Sequence, residues 1–424
     1  MSTAVIPFGN KIHGSSIAIS SKSELHRMLI CAAFSDAPSQ ILCTPVLSKD
    51  IEATIDCLCA LGAEIKTQTG KIIIQKPISH VVAHKDIILD CLESGSTARF
   101  FLPYCAMFCE NTVITGSGKL PERPMEDLCT CLEAHGAQFS GHYLPLCIEK
   151  CCDKSGSFAI SGNISSQYLT GLLLALPFID GNISLTTELM SSGYVDITID
   201  VMKHFGVFVS KNKGIYTAKG HYISPKQNLI AFGDWSNAAF FLCGAALSGS
   251  VILKGLDPLS KQPDRAVLQV LSLFGSDVHI DGTSICVTKN KMMPFTLNAQ
   301  NIPDLVPVLA VMACGAKGKT TITNIERLRI KESDRVDAVC KLICGLGGSA
   351  EADDKNLYIF GTGRLVGGKV CSFNDHRIAM SAAIASVLCQ SPVIIEDCMA
   401  VSKSYPDFYQ DFSALTQSSI TINP

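Results

Sequence analysis

An α/β chain built from six related units is predicted by three observations: a repeat, a recurrent helix stop, and a strongly apolar composition without spanning segments. Six segments open alike, with polar or charged residues followed at once by an apolar run rich in small side chains. They begin near Lys22, Ser94, Ser165, Asp234, Pro303 and Asp375, at intervals of 72, 71, 69, 69 and 72 residues. A fixed period of this kind marks a repeat architecture. Late in each of the first five units a helical pattern ends on glycine, at Gly62, Gly136, Gly206, Gly275 and Gly347. Glycine adopts the left-handed conformation just past a helix without steric cost, so all five read as helix stops.

Taken in order, each unit reads as a strand, a helix at the small-residue run, a strand, a strand-like connection, a second helix ending at the glycine, and a strand pair. The first helix of each unit lacks a polar face and is expected to be buried on most sides. That accounts for a mean hydropathy of +0.29 in a chain that is 47% hydrophobic and only 17% charged. The apolar runs at 168–179 and 305–313 are interrupted by Pro and Gly and fall well short of the ~20 residues of a spanning helix. The N-terminal residues lack the charged lead and apolar centre of a signal peptide, so a cytoplasmic location is expected. A length of 424 residues suits two domains or one large one. With a net charge of −3 the chain has no general attraction for nucleic acid or anionic lipid, and neither is expected as a partner.

Twenty cysteines stand in the chain, none in a CxxC spacing. Cys57, Cys59, Cys105, Cys109, Cys340 and Cys344 lie in apolar helical patterns, where cysteine acts as a small hydrophobe. A reducing compartment follows, and neither a disulfide framework nor a structural metal is expected.

The repeat has a chemical consequence. A helix N-terminus presents unpaired N–H groups and partial positive charge, so it attracts anions. The openings carry Lys22-Ser23, Gly95-Ser96, Ser165-Ser166-Gln167, Asp304 and Asp375-His376-Arg377. Serine and aspartate are also good helix caps, but capping does not explain the basic residues beside them. Further basic residues recur at openings and in loops between elements: Arg27, Arg123, Lys331, Arg335 and Lys403, with Glu332 among them. Such a set suits phosphates and carboxylates, with acids at hand for proton transfer.

The segments SKSELHR, SGSTAR, ERPMEDL, ISSQYLTGLL, YVDIT, PDLVPVLA, RIKESDR, NDHRIAM and SKSYPDF occur in this order. In that order they resemble the EPSP synthase family of enolpyruvyl transferases, from Lys22 to about Phe412. SGST alone is a weak signal, whereas RIKESDR followed by NDHR is a strong one. The resemblance implies a two-domain inside-out α/β barrel of six βαβαββ units with parallel helices buried inside sheets. One domain would span 21–229 and mainly meet shikimate-3-phosphate. The other would combine 1–20 with 230–424 and mainly serve phosphoenolpyruvate and acid/base chemistry.

Residue by residue, the resemblance implies that Lys22, Ser23, Arg27, Ser165, Ser166, Gln167, Ser191, Tyr194, Asp304 and Lys331 hold shikimate-3-phosphate. Phosphoenolpyruvate would meet Lys22, Gly95, Arg123, Gln167, Arg335, Arg377 and Lys403. Asp304, Glu332 and Lys22 would be catalytic, with no metal and no organic cofactor, in a monomer whose partners are its two small substrates. Glyphosate is implied as an inhibitor at the phosphoenolpyruvate site, beside Gly95. Three positions depart from the family pattern: Glu93 where many members have Asn, Phe100 where many have Pro, and Arg327 where some have an Asn contacting the sugar phosphate. His26 and His13 read as structural or surface residues, and His376 as a residue that orients its loop. The alternatives are the sister enzyme acting on UDP-N-acetylglucosamine, whose members usually carry a Cys in the loop that here reads TGSGKLPERP, and a non-catalytic paralogue that binds phosphorylated ligands.

Overall fold

Across the described residues, 2–78 and 84–423, a computed structural model shows six four-stranded sheets, each corresponding to one repeat. The third repeat shows the pattern without interruption. Strand Ser155–Ile160 runs parallel to Asp180–Leu185, which pairs antiparallel with Ile215–Lys219, and Phe208–Asn212 closes the sheet. A parallel pair needs a crossover, and a helix provides it.

The chain divides into two units, one continuous (Ser20–Ala231) and one discontinuous (Met1–Ile19 with Phe232–Pro424). The continuous unit holds helices α1 (Lys22–Ala33), α2 (Lys49–Ala60), α3 (Gly95–Phe108), α4 (Glu126–Glu133), α5 (Ser166–Ala175) and α6 (Ser192–His204). The discontinuous unit holds α7 (Trp235–Ser248), α8 (Val267–Phe274), α9 (Val306–Cys314), α10 (Arg335–Gly345), α11 (His376–Ala385) and α12 (Phe408–Thr416). Three repeats are completed by strands distant in sequence. Leu229–Ile230 pairs with Ser39–Leu42, and His13–Ile17 pairs with Ser250–Lys254, both in parallel. Thr3–Ile6 lies between Val393–Glu396 and Thr421–Asn423.

The first helix of each repeat is buried along nearly its whole length, as its unbroken apolar pattern requires. The second helix of each repeat buries one face only; in α10 that face is Val336, Val339 and Ile343 with Ala338 and Leu342. Each unit thereby encloses its own apolar core. All five predicted stop glycines have positive φ, between 79° and 98°. At the end of α12 Gln417 takes the same conformation, with φ 52°.

Two expectations need correction. The strand-like connection is not a strand: in four repeats it is a 3₁₀ turn, at Leu120–Glu122, Pro263–Ala266, Glu326–Ile330 and Cys398–Lys403. Two of these turns carry an early proline, Pro121 and Pro263, whose fixed φ favours a turn and whose missing N–H disfavours a ladder. The cysteines also differ in part: Cys59 and Cys344 are exposed, and Cys109 begins a short strand. Cys59 lies two residues from buried Cys57, which puts it on the other side of α2. All twenty are free, and burial pushes thiols such as Cys129 up to about 12, which makes them poor nucleophiles. Among the described residues no helix is long and apolar enough to cross a membrane.

Candidate active site

The candidate residues occupy two places in the repeat: the opening of the first helix and the connection before the second. The openings are capped in one way across five repeats. Ser21, Ser94, Ser165, Asp234 and Asp375 each accept a backbone N–H of the first turn through the side chain. Capping is therefore a real role for Ser165 and Asp375. Asp304 differs, because it lies in the 3₁₀ turn Pro303–Leu305 ahead of α9 and is the N-cap residue of neither element. Its carboxylate is left for ion pairing. The connections supply Arg123, Ser191, Lys331, Glu332 and Lys403.

In the discontinuous unit one guanidinium gathers three acids. Arg335, the first residue of α10, is 1% exposed. Its Nη1 donates to Asp304 Oδ1 at 2.6 Å and its Nε to Asp375 Oδ2 at 2.8 Å, while Nη2 pairs with Glu332. Ser333 Oγ donates to Asp375 Oδ2 at 3.0 Å. Lys331 Nζ lies 3.6 Å from Asp304 Oδ1, and Arg377 Nη2 lies 3.3 Å from Asp304 Oδ2. Arg377 Nη1 also donates to the Asp304 carbonyl at 3.1 Å. Lys403 donates to the carbonyl of Asn374, next to Asp375, at 2.5 Å.

This geometry sets the charges. Burial opposes ionisation of Asp304, but Arg377, Lys331 and Arg335 outweigh it and hold the carboxyl well below the usual carboxylate range. Asp375 is likewise lowered, burial being overcome chiefly by Arg335. Burial, with Arg335 and Arg327 as like charges, brings Lys331 down to about 8, against the pull of Asp304. Glu332, Asp375 and His376 lie close enough to chelate a cation. Both carboxylates are already bonded to Arg335, so the donor set here is that of an ion-pair network.

The continuous unit is built on different partners. Arg27 is buried on α1, and its guanidinium donates to Thr198 Oγ1 at 2.7 Å and to the Ser23 and Tyr194 carbonyls at 2.6 and 3.1 Å. The Phe100 ring lies 5.0 Å from its Cζ, so the departure at Phe100 supplies an aromatic face for a buried cation. Burial lowers Arg27 to about 10. Arg27 thus brings Ser23 and Tyr194 together, and the carbonyl of Ser191, which takes φ 55° at the start of α6, receives the Tyr194 N–H. Lys22 Nζ pairs with Asp50 Oδ2 at 2.7 Å.

Gln167 hydrogen bonds through Nε2 to Ser96 Oγ at 2.9 Å, which joins the second and third openings. Ser165 joins this cluster by accepting the Gln167 backbone N–H at 3.3 Å, and the buried Ser166 lies between them in the chain. A Cβ placed on Gly95 would lie 2.6 Å from Arg123 Nη1. The space a side chain would take at 95 is therefore filled by the Arg123 guanidinium. The Glu93 side chain lies against Gly118, in the loop leading to Arg123. His26 is buried, bonded to Thr54 Oγ1 at 2.7 Å, and held neutral by burial and by Lys22 and Arg27. His13 lies in an exposed strand, and His376 opens α11 with Nδ1 3.6 Å from Glu332.

Sequence reasoning missed Asp50, Arg99 and Asp264. Asp50 looked like an ordinary first-turn helix acid. Arg99 carried a signal, a lone cation inside the apolar run ARFFLPY. Asp264 carried none. It is buried in the turn Pro263–Ala266 and hydrogen bonded to Ser236, and burial, reinforced by Asp304, pushes its carboxyl up to about 7.

Comparison with known proteins identifies the family. The model of the family described as EPSP synthase (3-phosphoshikimate 1-carboxyvinyltransferase) matches residues 8–412. A 3-phosphoshikimate 1-carboxyvinyltransferase of Clostridium novyi is 40% identical over 404 residues, which is 92% of each chain. One from Clostridium perfringens is 37% identical over 97% of this chain and 98% of its own. Among solved structures, an EPSP synthase of Acinetobacter baumannii superposes with a TM-score of 0.80 at 22% identity, covering 100% of both chains. The enolpyruvyl transferase NikO of Streptomyces tendae gives 0.77 at 16% identity, over 100% of this chain and 99% of its own. At these identities the two structures speak for the fold.

Proposed function

The chain belongs to the EPSP synthase family, and from that premise we propose how its two units divide the reaction. It transfers the enolpyruvyl group of phosphoenolpyruvate to the 5-hydroxyl of shikimate-3-phosphate. The hydroxyl oxygen bonds to C2 of phosphoenolpyruvate and loses its proton while C3 gains one. The resulting tetrahedral adduct then expels phosphate from C2 and gives up a proton from C3. One C–O bond forms at C2 and another breaks as phosphate leaves, with no change of oxidation state, so the chemistry calls for no metal or organic cofactor.

The continuous unit mainly holds shikimate-3-phosphate, through Lys22, Ser23, Arg27, Ser165, Ser166, Gln167, Ser191 and Tyr194. Asp304 and Lys331 complete that set. Phosphoenolpyruvate meets Lys22, Gly95, Arg123, Gln167, Arg335, Arg377 and Lys403. Two anionic substrates repel, and a set of this many cations offsets that repulsion.

Asp304, Glu332 and Lys22 handle the protons. The observation that carries this reading is the convergence of Asp304 and Glu332 on the buried Arg335, with Lys331 and Arg377 beside Asp304. Asp304 is a poor base while those cations face it. An anionic substrate bound to the same cations draws their field away and raises its proton affinity. Substrate binding thus prepares the base. The enzyme acts as a cytoplasmic monomer, with no nucleic-acid or membrane partner.

The test is phosphate release in a coupled assay. Phosphate is expected only with shikimate-3-phosphate and phosphoenolpyruvate together. Release with UDP-N-acetylglucosamine in place of the shikimate would favour the sister activity, and no release with either would favour a binding paralogue.

A further inference from the structure

Arg99 lies on α3 and is only 3% exposed. A guanidinium is a donor without an acceptor, and its burial has to be offset by hydrogen bonds or an acid. Among the described residues no carboxylate pairs with it; its partners are an amide, a carbonyl and a ring. Nη1 donates to Gln167 Oε1 at 2.6 Å, Nη2 donates to the Pro124 carbonyl at 3.0 Å, and the Tyr168 ring lies 5.5 Å from Cζ. Tyr168 Oη donates to the same Pro124 carbonyl at 2.6 Å. The backbone beneath is held as well. A Cβ on Gly171 of α5 would collide with the Arg99 carbonyl, so α3 and α5 meet closely at this turn.

Each contact bears on a group placed in the phosphoenolpyruvate set. Because Arg99 can only donate, Gln167 must turn its oxygen toward α3, and its amide nitrogen then faces Ser96 at the helix opening. With the amide reversed, an acceptor would stand where an anionic ligand needs a donor. Pro124 follows Arg123 directly, so the carbonyl that Arg99 and Tyr168 share belongs to the backbone carrying the Arg123 side chain across Gly95.

We propose that Arg99 is a positioning residue: one buried guanidinium sets the donor face of the Gln167 amide and anchors the backbone of Arg123, without itself touching substrate. The inference rests on the functional reading above, which places Gln167 and Arg123 against phosphoenolpyruvate.

Two measurements test it. In the phosphate-release assay Arg99→Met should raise the KM for phosphoenolpyruvate, which meets both Gln167 and Arg123, about tenfold, the scale of one charge-assisted hydrogen bond, and that for shikimate-3-phosphate, which meets Gln167 but not Arg123, by clearly less. In a Gln167→Ala background the effect should shrink, because coupled residues are not additive. Arg99→Lys keeps the charge but cannot serve both partners, and it carries the test if the methionine variant fails to fold. Equal rises in both KM values, or an undiminished effect without Gln167, would overturn the proposal. The second measurement is independent of turnover. The side-chain amide resonances of Gln167, assigned with Gln167→Ala, should move in Arg99→Lys; unmoved resonances would also overturn it. Turnover by the wild-type chain reports on the functional reading alone, whereas variant-to-wild-type ratios and the resonances report on Arg99.

Discussion

In the continuous unit the buried helices open on serine, whereas in the discontinuous unit they open on aspartate or on the turn that carries Asp304. The basic residues follow the same division. Arg27, Arg99 and Arg123 have no carboxylate partner among the described residues, and Arg27 and Arg99 are satisfied by hydroxyls, carbonyls, an amide and aromatic faces. Arg335 and Arg377 share Asp304, and Arg335 takes Glu332 and Asp375 besides. One repeat therefore yields two chemistries. Neutral caps with unneutralised guanidiniums leave net positive charge for a phosphate. Acid caps with shared guanidiniums give a charge-balanced cluster whose members can exchange a proton.

The largest effect separating the two should be on turnover. Asp304→Ala and Glu332→Gln, both in the acid cluster, should each lower phosphate release by roughly 10²–10⁴-fold. Arg335 keeps other partners in either variant, so circular dichroism should show the fold retained. Near-normal rates in both would remove the acid/base assignment.

Stability provides the next contrast. Arg335→Met leaves three acids around a missing cation and should destabilise by about 3–5 kcal/mol. Arg27→Met leaves only neutral partners and should cost about 1–3 kcal/mol. Urea midpoints measure both, and equal losses would show that the division of partners has no energetic meaning.

Exchanging a cap tests the comparison more directly. Ser165→Asp retains a side chain that can accept the Gln167 N–H, so the melting temperature should change little. The added negative charge should raise the KM for shikimate-3-phosphate by about one to two orders of magnitude at low salt, and less as salt is added. If both substrates bind as before, Ser165 is a cap and nothing more.

The smallest effect concerns pH. Asp264 has its pKa raised to about 7 in the fold, so the folded chain holds that proton more tightly than the unfolded one. Its contribution to stability therefore falls as pH rises from about 4 toward 7. Asp304 and Asp375 are lowered, so their contribution is present above about pH 4 and lost as pH falls through their folded values. Asp264→Asn should flatten melting temperature against pH between about 4 and 7 and leave the acid limb. An unchanged slope there would show that Asp264 is not its source.

The repeat, the five stop glycines and the buried first helices were all legible in the sequence, because period, φ preference and the absence of a polar face are local properties. So were the basic and acidic residues of the openings. What each of them does was not legible. Ser165 and Asp304 stand at equivalent places in their repeats, yet one is a cap and the other an ion-pair acceptor, because Pro303 starts a 3₁₀ turn that takes Asp304 out of the capping position. The strand-like connections read as extended because their pairing partners, or the lack of them, lie elsewhere in the chain. Arg99 and Asp264 became visible only once α3 met α5 and the turn Pro263–Ala266 met Ser236. Composition and periodicity decide which side chains avoid water. Which carboxylate a buried guanidinium finds, and which proton a buried acid keeps, depends on desolvation and distance across elements, and these the tertiary structure alone decides.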